Sequence, residues 1–446
     1  MKYLVFGLML VAGVPLMAWL AMNSAKARGW LVTLLIVSTA LSNTTKINFV
    51  SMEWYRGPDR GFEFNLTDLV AWALIVAVVV RRPERICWAP YNTGWLAALF
   101  CFGLISAGGA AQPLYAAFSL LKWARGFVIF WAVVQVMRAG FEGPAVWRGF
   151  IIAAVYVVFL ALKQKYLHHM YRVPGPFDHS NTLPLYINQF LPVVVLLGLC
   201  DPALTPRGAA GSVLAALGLI AASQATFSRL GMLLSVGTFL GAIAYANIFL
   251  PGKRVRIATV AAIILVCIGG ALAAKSIMER VKSAPESSEE ARDEFNMAAK
   301  RMADDHMFGV GVNNFSEALT KESRYSGFVS VMQDEEQAGV CHHIYNLTAA
   351  EMGTGAKYVF AVILIRFLGL ALIPALRRRG LEAGLLFALA AGAVALHTSG
   401  FYEWVFRITP VTFMYAICAG LAVGLAEQLR NREADAPSEA LGAAAA

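Results

Sequence analysis

The sequence predicts an all-α protein, a polytopic bundle of about 12–13 transmembrane helices with one long, partly helical loop outside the bilayer. Three observations predict it. Of 446 residues, 58% are hydrophobic and only 15% are charged, where a soluble domain carries about 25% charge; the mean hydropathy is +0.61. Apolar runs of about 20 residues recur along the whole chain, the length that a hydrocarbon core roughly 30 Å thick requires. They exclude a membrane barrel, whose strands alternate instead of running apolar. Lys and Arg gather in short loops between the runs, the pattern that orients membrane helices.

In chain order, runs at 3–21, 29–48, 66–80, 94–109, 113–137, 148–167, 183–200, 211–228, 230–250 and 256–275 make a first membrane region, residues 1–275. The first run is long for a signal peptide and reads as a retained helix. Residues 276–345 are a polar loop. Runs at 346–375, 382–399 and 409–427 make a second membrane region, 346–430. The tail 431–446, rich in Ala with Pro and Glu, reads as disordered. No internal repeat is visible.

Basic loops lie at Lys26/Arg28, Arg81–Arg85, Arg138–Arg148, Lys253–Arg256 and Arg377–Arg379. Placing them in the cytoplasm puts 51–65, 163–181, 276–341 and 397–407 together on the other side, with the Ser228–Arg229 turn. Every chemically loaded stretch then shares one face. The net charge of +9 is thereby explained by topology, and no nucleic-acid partner is expected. The six cysteines form neither a disulfide framework nor a paired zinc motif.

The polar loop is predicted to hold an amphipathic helix over 289–307, with Ala291, Phe295, Ala298, Ala299 and Met302 on one side and Ser287 or Ser288 as its cap. Most of its charges read as a solvated face. Arg280, at headgroup depth, and Arg292 stand out. Gly309-Val310-Gly311 has no Walker lysine and reads as a tight turn. His342 and His343 lie where the chain re-enters the membrane. A lone interfacial His is ordinarily a polar tip. This pair is followed by Asn346 and Glu351 on the first turns of the next helix, where charge is costly and often functional. The spacing matches no standard metal set, and no metal or cofactor is expected.

Arg229 opens an apolar run on the outer face, against the usual bias of Arg, which points to an anion. Lys122 and Arg125, three apart on one helix face, fall midway through the 113–137 run. They must face a cavity or an acidic partner. Asp178-His179-Ser180-Asn181, Lys163, Lys165, His397, Tyr402, Glu403 and Arg407 add polar groups on the same side.

These residues resemble the O-antigen ligase and O-antigen/exopolysaccharide polymerase superfamily of bacterial inner-membrane proteins. Gly175-Pro176-Phe177-Asp178-His179-Ser180-Asn181 looks like its G-x-F-x-x-x-N turn, and Thr226-Phe227-Ser228-Arg229 like its Ser-Arg helix opening. Arg292 to Phe315, through Gly309 and Gly311, is similar to its long-loop stretch. His342 to Gly353 fits its signature of His, a polar residue, nine residues, then Gly. Met307 stands where the family often has Pro, and His343 where it usually has Asn, Ser or Gln.

The resemblance implies glycosyl transfer on the periplasmic face of the inner membrane, from a glycan on undecaprenyl diphosphate to a sugar hydroxyl. The acceptor would be another lipid-linked glycan in a polymerase, or lipid A core or a protein in a ligase. A flippase or chain-length regulator would be a neighbour, and membrane lipid a constant partner. The catalytic set is expected to be His342 as base with Arg229 and Arg292 at the diphosphate. The substrate-binding set is expected to be Arg280, His343, Glu351, Lys122, Arg125, Asn181 and Arg407. No DxD motif occurs, so transfer is expected without metal. The rival readings are a transporter of a small anion or lipid, using Lys122, Arg125 and Arg229 along its path, and a structural scaffold.

Overall fold

The computed structural model describes residues 2–140, 143–264, 286–328 and 339–444, with side chains left out at residue 2 and at 286–291 and 433–444. The chain is an all-α helix bundle and a multi-pass membrane protein. Helices make up 76% of it. Among the described residues eight are long and apolar enough to cross a membrane: Tyr3–Asn23, Pro113–Ala139, Gly143–Tyr166, Pro206–Gln224, Arg229–Phe249, Thr354–Arg377, Leu381–Ser399 and Thr409–Arg432. Shorter apolar helices at Ala25–Ala40, Leu66–Arg81 and Thr93–Gly108 pack among them.

Three expected runs differ from the structure. Run 183–200 is broken into Thr182–Ile187 and Leu191–Cys200. Asn188 and Gln189, buried at the break, bond the Gly231, Leu185 and Val411 carbonyls. Run 346–375 breaks at Gly353, whose φ of +86° ends Ile344–Met352 before Thr354–Arg377 begins. The last helix runs from Thr409 to Ala444, so the tail expected to be disordered continues as helix. Its Ala-rich composition has high helix propensity, which overrides the polar cue. Run 256–275 is described only as a helix over 253–264.

The last helix and Pro113–Ala139 form the centre. Phe413, Met414 and Ile417 of one meet Phe130, Val133 and Met137 of the other in the main core. Gly420 and Gly424 let the two backbones approach; a Cβ on Gly424 would lie 2.4 Å from that of Met137.

The two ends of the bundle differ in chemistry. At one end the basic loops tie to each other. Arg138 Nε donates to the Arg85 carbonyl at 3.0 Å, Arg138 pairs with Glu427, and Arg432 pairs with Glu382 at 2.8 Å. At the other end lie a small antiparallel pair, Ile47–Asn48 with Glu63–Phe64, and the described parts of the four polar segments expected to share a face. Asp59 bonds Asn313, Asn181 bonds Glu403, and the Ile344 N–H donates to the Gly400 carbonyl at 2.9 Å.

Candidate functional site

The polar loop is folded against the bundle. Helix Glu286–Asp305 buries Phe295, Ala298, Ala299 and Met302 against Ile344–Met352, four of the five residues its spacing puts on one side; the side chain of the fifth, Ala291, lies outside the described residues. Ser287 and Ser288 fall inside the helix, so neither is its cap. Beyond it the glycine segment bonds main chain to main chain. Val310 N–H donates to the Ala350 carbonyl at 2.9 Å and Gly311 N–H to the Glu351 carbonyl at 3.1 Å. These satisfy two carbonyls at a helix end. Gly309 has φ +73°, and a Cβ there would sit 2.2 Å from the Glu351 carbonyl carbon. The turn therefore serves close backbone docking and not phosphate binding.

Asn313 and Asn314 complete the attachment. The Asn313 amide donates to the carbonyls of Asp59 and Tyr115, both at 2.8 Å, and Asn314 Oδ1 accepts from Gln112 N–H at 2.9 Å. The docked loop delivers two expected site residues, Arg292 on its helix and His342 at its exit.

Both meet Glu403, in the turn between Leu381–Ser399 and Thr409–Ala444. Its Oε2 lies 3.4 Å from His342 Nδ1, and its Oε1 lies 3.5 Å from the Arg292 guanidinium. Oε1 also accepts from Asn181 Nδ2 at 2.6 Å. Asn181 Oδ1 in turn accepts from Arg172 at 2.7 Å, and Arg172 Nε donates to the Thr226 carbonyl at 3.1 Å. Arg229 begins its helix three residues after Thr226, with its side chain exposed. His342, Arg292 and Asn181 thus reach one end of the bundle through one connected set of contacts, and Arg229 follows three residues along the chain from Thr226, whose carbonyl joins that set.

Burial pushes the Glu403 carboxyl up. The His342 hydrogen bond and charge, then Arg292 and His179, outweigh that and hold it below the usual carboxylate range. His179, whose Nδ1 accepts from Asn181 N–H, keeps an exposed side chain, and partial desolvation lowers it, with Arg172, His342 and Arg292 adding to the shift against the pull of Glu403. One carboxylate therefore stands among two guanidiniums and two imidazoles. His342 is the one with a carboxylate on Nδ1, an arrangement that would leave Nε2 to accept a proton. A carboxylate-oriented imidazole beside fixed cations can take a proton from a hydroxyl while negative charge is received nearby.

The other expected site residues that the structure describes lie outside this cluster, each with a partner inside the protein. Lys122 pairs with Asp59 and donates to the Arg407 carbonyl at 2.6 Å. Arg125 holds Asp68 in two parallel bonds, Nε to Oδ1 at 2.9 Å and the second nitrogen to Oδ2 at 2.7 Å. Arg407 pairs with Glu351 and lies 4.9 Å over the Trp123 ring. Four of the seven side chains expected to bind substrate, Lys122, Arg125, Glu351 and Arg407, are buried. Each is neutralised by a partner, because an unpaired charge at that depth is costly. His343 caps Ile344–Met352, its Nδ1 accepting from Asn346 N–H at 3.3 Å. Arg280 lies outside the described residues.

Three members of the cluster were not in the expected site. Glu403 and His179 were visible only as polar residues on the outer face. Arg172 carried the same cue as Arg229, an arginine on the face that disfavours it. Among the described residues no group of three His, Cys, Asp or Glu could hold a metal ion. Comparison with known proteins gives no matching family model and no matching curated protein.

Proposed function

We propose that this protein transfers a glycan from a polyisoprenyl diphosphate to a sugar hydroxyl, on the periplasmic face of a bacterial inner membrane. The reading joins the resemblance to the O-antigen ligase and polymerase superfamily with one observation, the His342–Glu403 pair set between Arg172 and Arg292. His342 Nε2 takes the acceptor hydroxyl proton. The oxygen attacks the anomeric carbon as the bond to the diphosphate breaks, and that bond's electron pair leaves on the lipid diphosphate. Arg292 and Arg229 receive the charge, and the anomeric centre inverts. His342 later returns its proton to solvent. Glu403 steadies the imidazolium and keeps its tautomer.

The transporter reading has less support, since Lys122 and Arg125, two of the three cations that would line its path, are each locked to an aspartate. The two separate in proteoliposomes given a lipid-linked oligosaccharide, with and without lipid A core. We expect glycan transfer and release of lipid diphosphate, with the productive acceptor telling polymerase from ligase. Anion uptake without any glycosyl donor, and no transfer to either acceptor, would overturn the proposal.

A further inference from the structure

Beside the cluster is an aromatic pair that none of the roles above uses. Tyr171 and Phe227 stack with ring centroids 5.2 Å apart and planes 15° from parallel. Tyr171 directly precedes Arg172, the arginine that reaches Glu403 through Asn181. Phe227 stands two residues before Arg229. The stacked rings are therefore flanked in sequence by two guanidinium-bearing residues of the candidate site.

The pair is held in place. Arg172 Nε donates to the Thr226 carbonyl at 3.1 Å, and Val173 N–H to the Ala225 carbonyl at 3.3 Å. Lys165 Nζ lies 4.6 Å over the Phe227 ring and donates to the Tyr171 carbonyl at 3.2 Å. Phe227 adopts φ +53°, a conformation costly for a bulky side chain. Despite these constraints Tyr171 is 63% exposed. An aromatic side chain fixed at its backbone yet open to solvent makes contact at small entropic cost.

We propose that the Tyr171–Phe227 pair is a stacking platform for the sugar ring attached directly to the diphosphate. This rests on the glycosyl-transfer reading of the site and names the part of the substrate that the rings take. A pyranose has an apolar C–H face and polar edges. It needs a ring surface beneath it and donors at its rim. Here Lys165 covers the far face of Phe227, which leaves the Tyr171 ring as the open surface; Arg172 directly follows Tyr171 in the chain, and arginines on either side in sequence suit the phosphates. The competing role is that of a headgroup-level anchor, the common task of Tyr at a membrane surface. Tyr166 and Leu167, also exposed, belong to that surface. An anchor, however, gains nothing from being tied to the Glu403 cluster.

The test compares binding of two probes to the full-length protein, undecaprenyl diphosphate alone and undecaprenyl diphosphate carrying N-acetylglucosamine. The wild type should bind the sugar-bearing probe more tightly by on the order of three- to ten-fold, the range for an aromatic contact. Tyr171→Phe should keep that excess, and Tyr171→Leu and Tyr171→Ala should lose it, with binding of the bare diphosphate unchanged in all four proteins. An excess that survives in Tyr171→Leu, or none in the wild type, overturns the platform while leaving the transfer reading intact. Failure of both probes to bind the wild type overturns the transfer reading itself.

Discussion

His342 and Glu403 are on separate helices' flanks, 61 residues apart in sequence, and neither alone would orient a proton transfer. Replacing Glu403 by Gln keeps the shape and the Asn181 contact but removes the charge that faces Nδ1. Turnover should fall, by less than the loss of the base itself, while binding of the lipid diphosphate holds or tightens as the cations lose their counter-charge. Steady-state kinetics with a binding isotherm on the same preparation checks both. His179 offers a separate test. Its ordinary value is about 6.5, and the fold lowers it, chiefly by partial desolvation at a position that stays exposed. Between the folded and unfolded values the unfolded chain holds more protons, so stability declines as pH drops through that window. His179→Gln should flatten this decline below about pH 6.5 in thermal unfolding measured against pH. An unchanged profile would contradict it.

At the scale of elements, the polar loop matters because it is docked. Its helix face was legible in the sequence, since Phe295, Ala298, Ala299 and Met302 recur at helical spacing and all four are buried. The glycine turn was legible as a turn, but its partner was not, because the Ala350 and Glu351 carbonyls are free to accept only once Gly353 has ended their helix. Phe295→Ala should cost about 3–5 kcal/mol of packing, and Gly309→Ala at least the roughly 1–2 kcal/mol of left-handed backbone. Both should appear as faster amide hydrogen exchange in 292–305, with the core helices unaffected. Equal protection in wild type and variants would mean the loop stands without these contacts.

For the molecule as a whole, the order of charges along the chain gave the division of the bundle into a basic end and an end that gathers the histidines. Hydropathy gave the helical class, and missed the breaks at Asn188–Phe190 and Gly353, where buried side-chain bonds and one glycine decide. It could not assign partners to the membrane cations either. Lys122 and Arg125 look alike in sequence to substrate-binding groups, and only the fold brings Asp59 and Asp68 to them. Glu351 and Arg407 form a third such pair. Removing one member leaves an uncompensated buried charge, so Arg407→Gln should destabilise by about 3–5 kcal/mol, whereas Arg407→Leu with Glu351→Leu should recover most of it. Thermal unfolding in detergent distinguishes the two; a double variant as unstable as the single one would contradict the neutralised-pair account.

The most direct measurement is single-turnover transfer from a lipid-linked oligosaccharide by His342→Ala, with donor binding measured on the same proteoliposomes. Loss of a general base predicts transfer slower by about 10²- to 10⁴-fold with donor binding intact. Transfer at the wild-type rate by correctly inserted His342→Ala would contradict the role of this imidazole and the mechanism built on it.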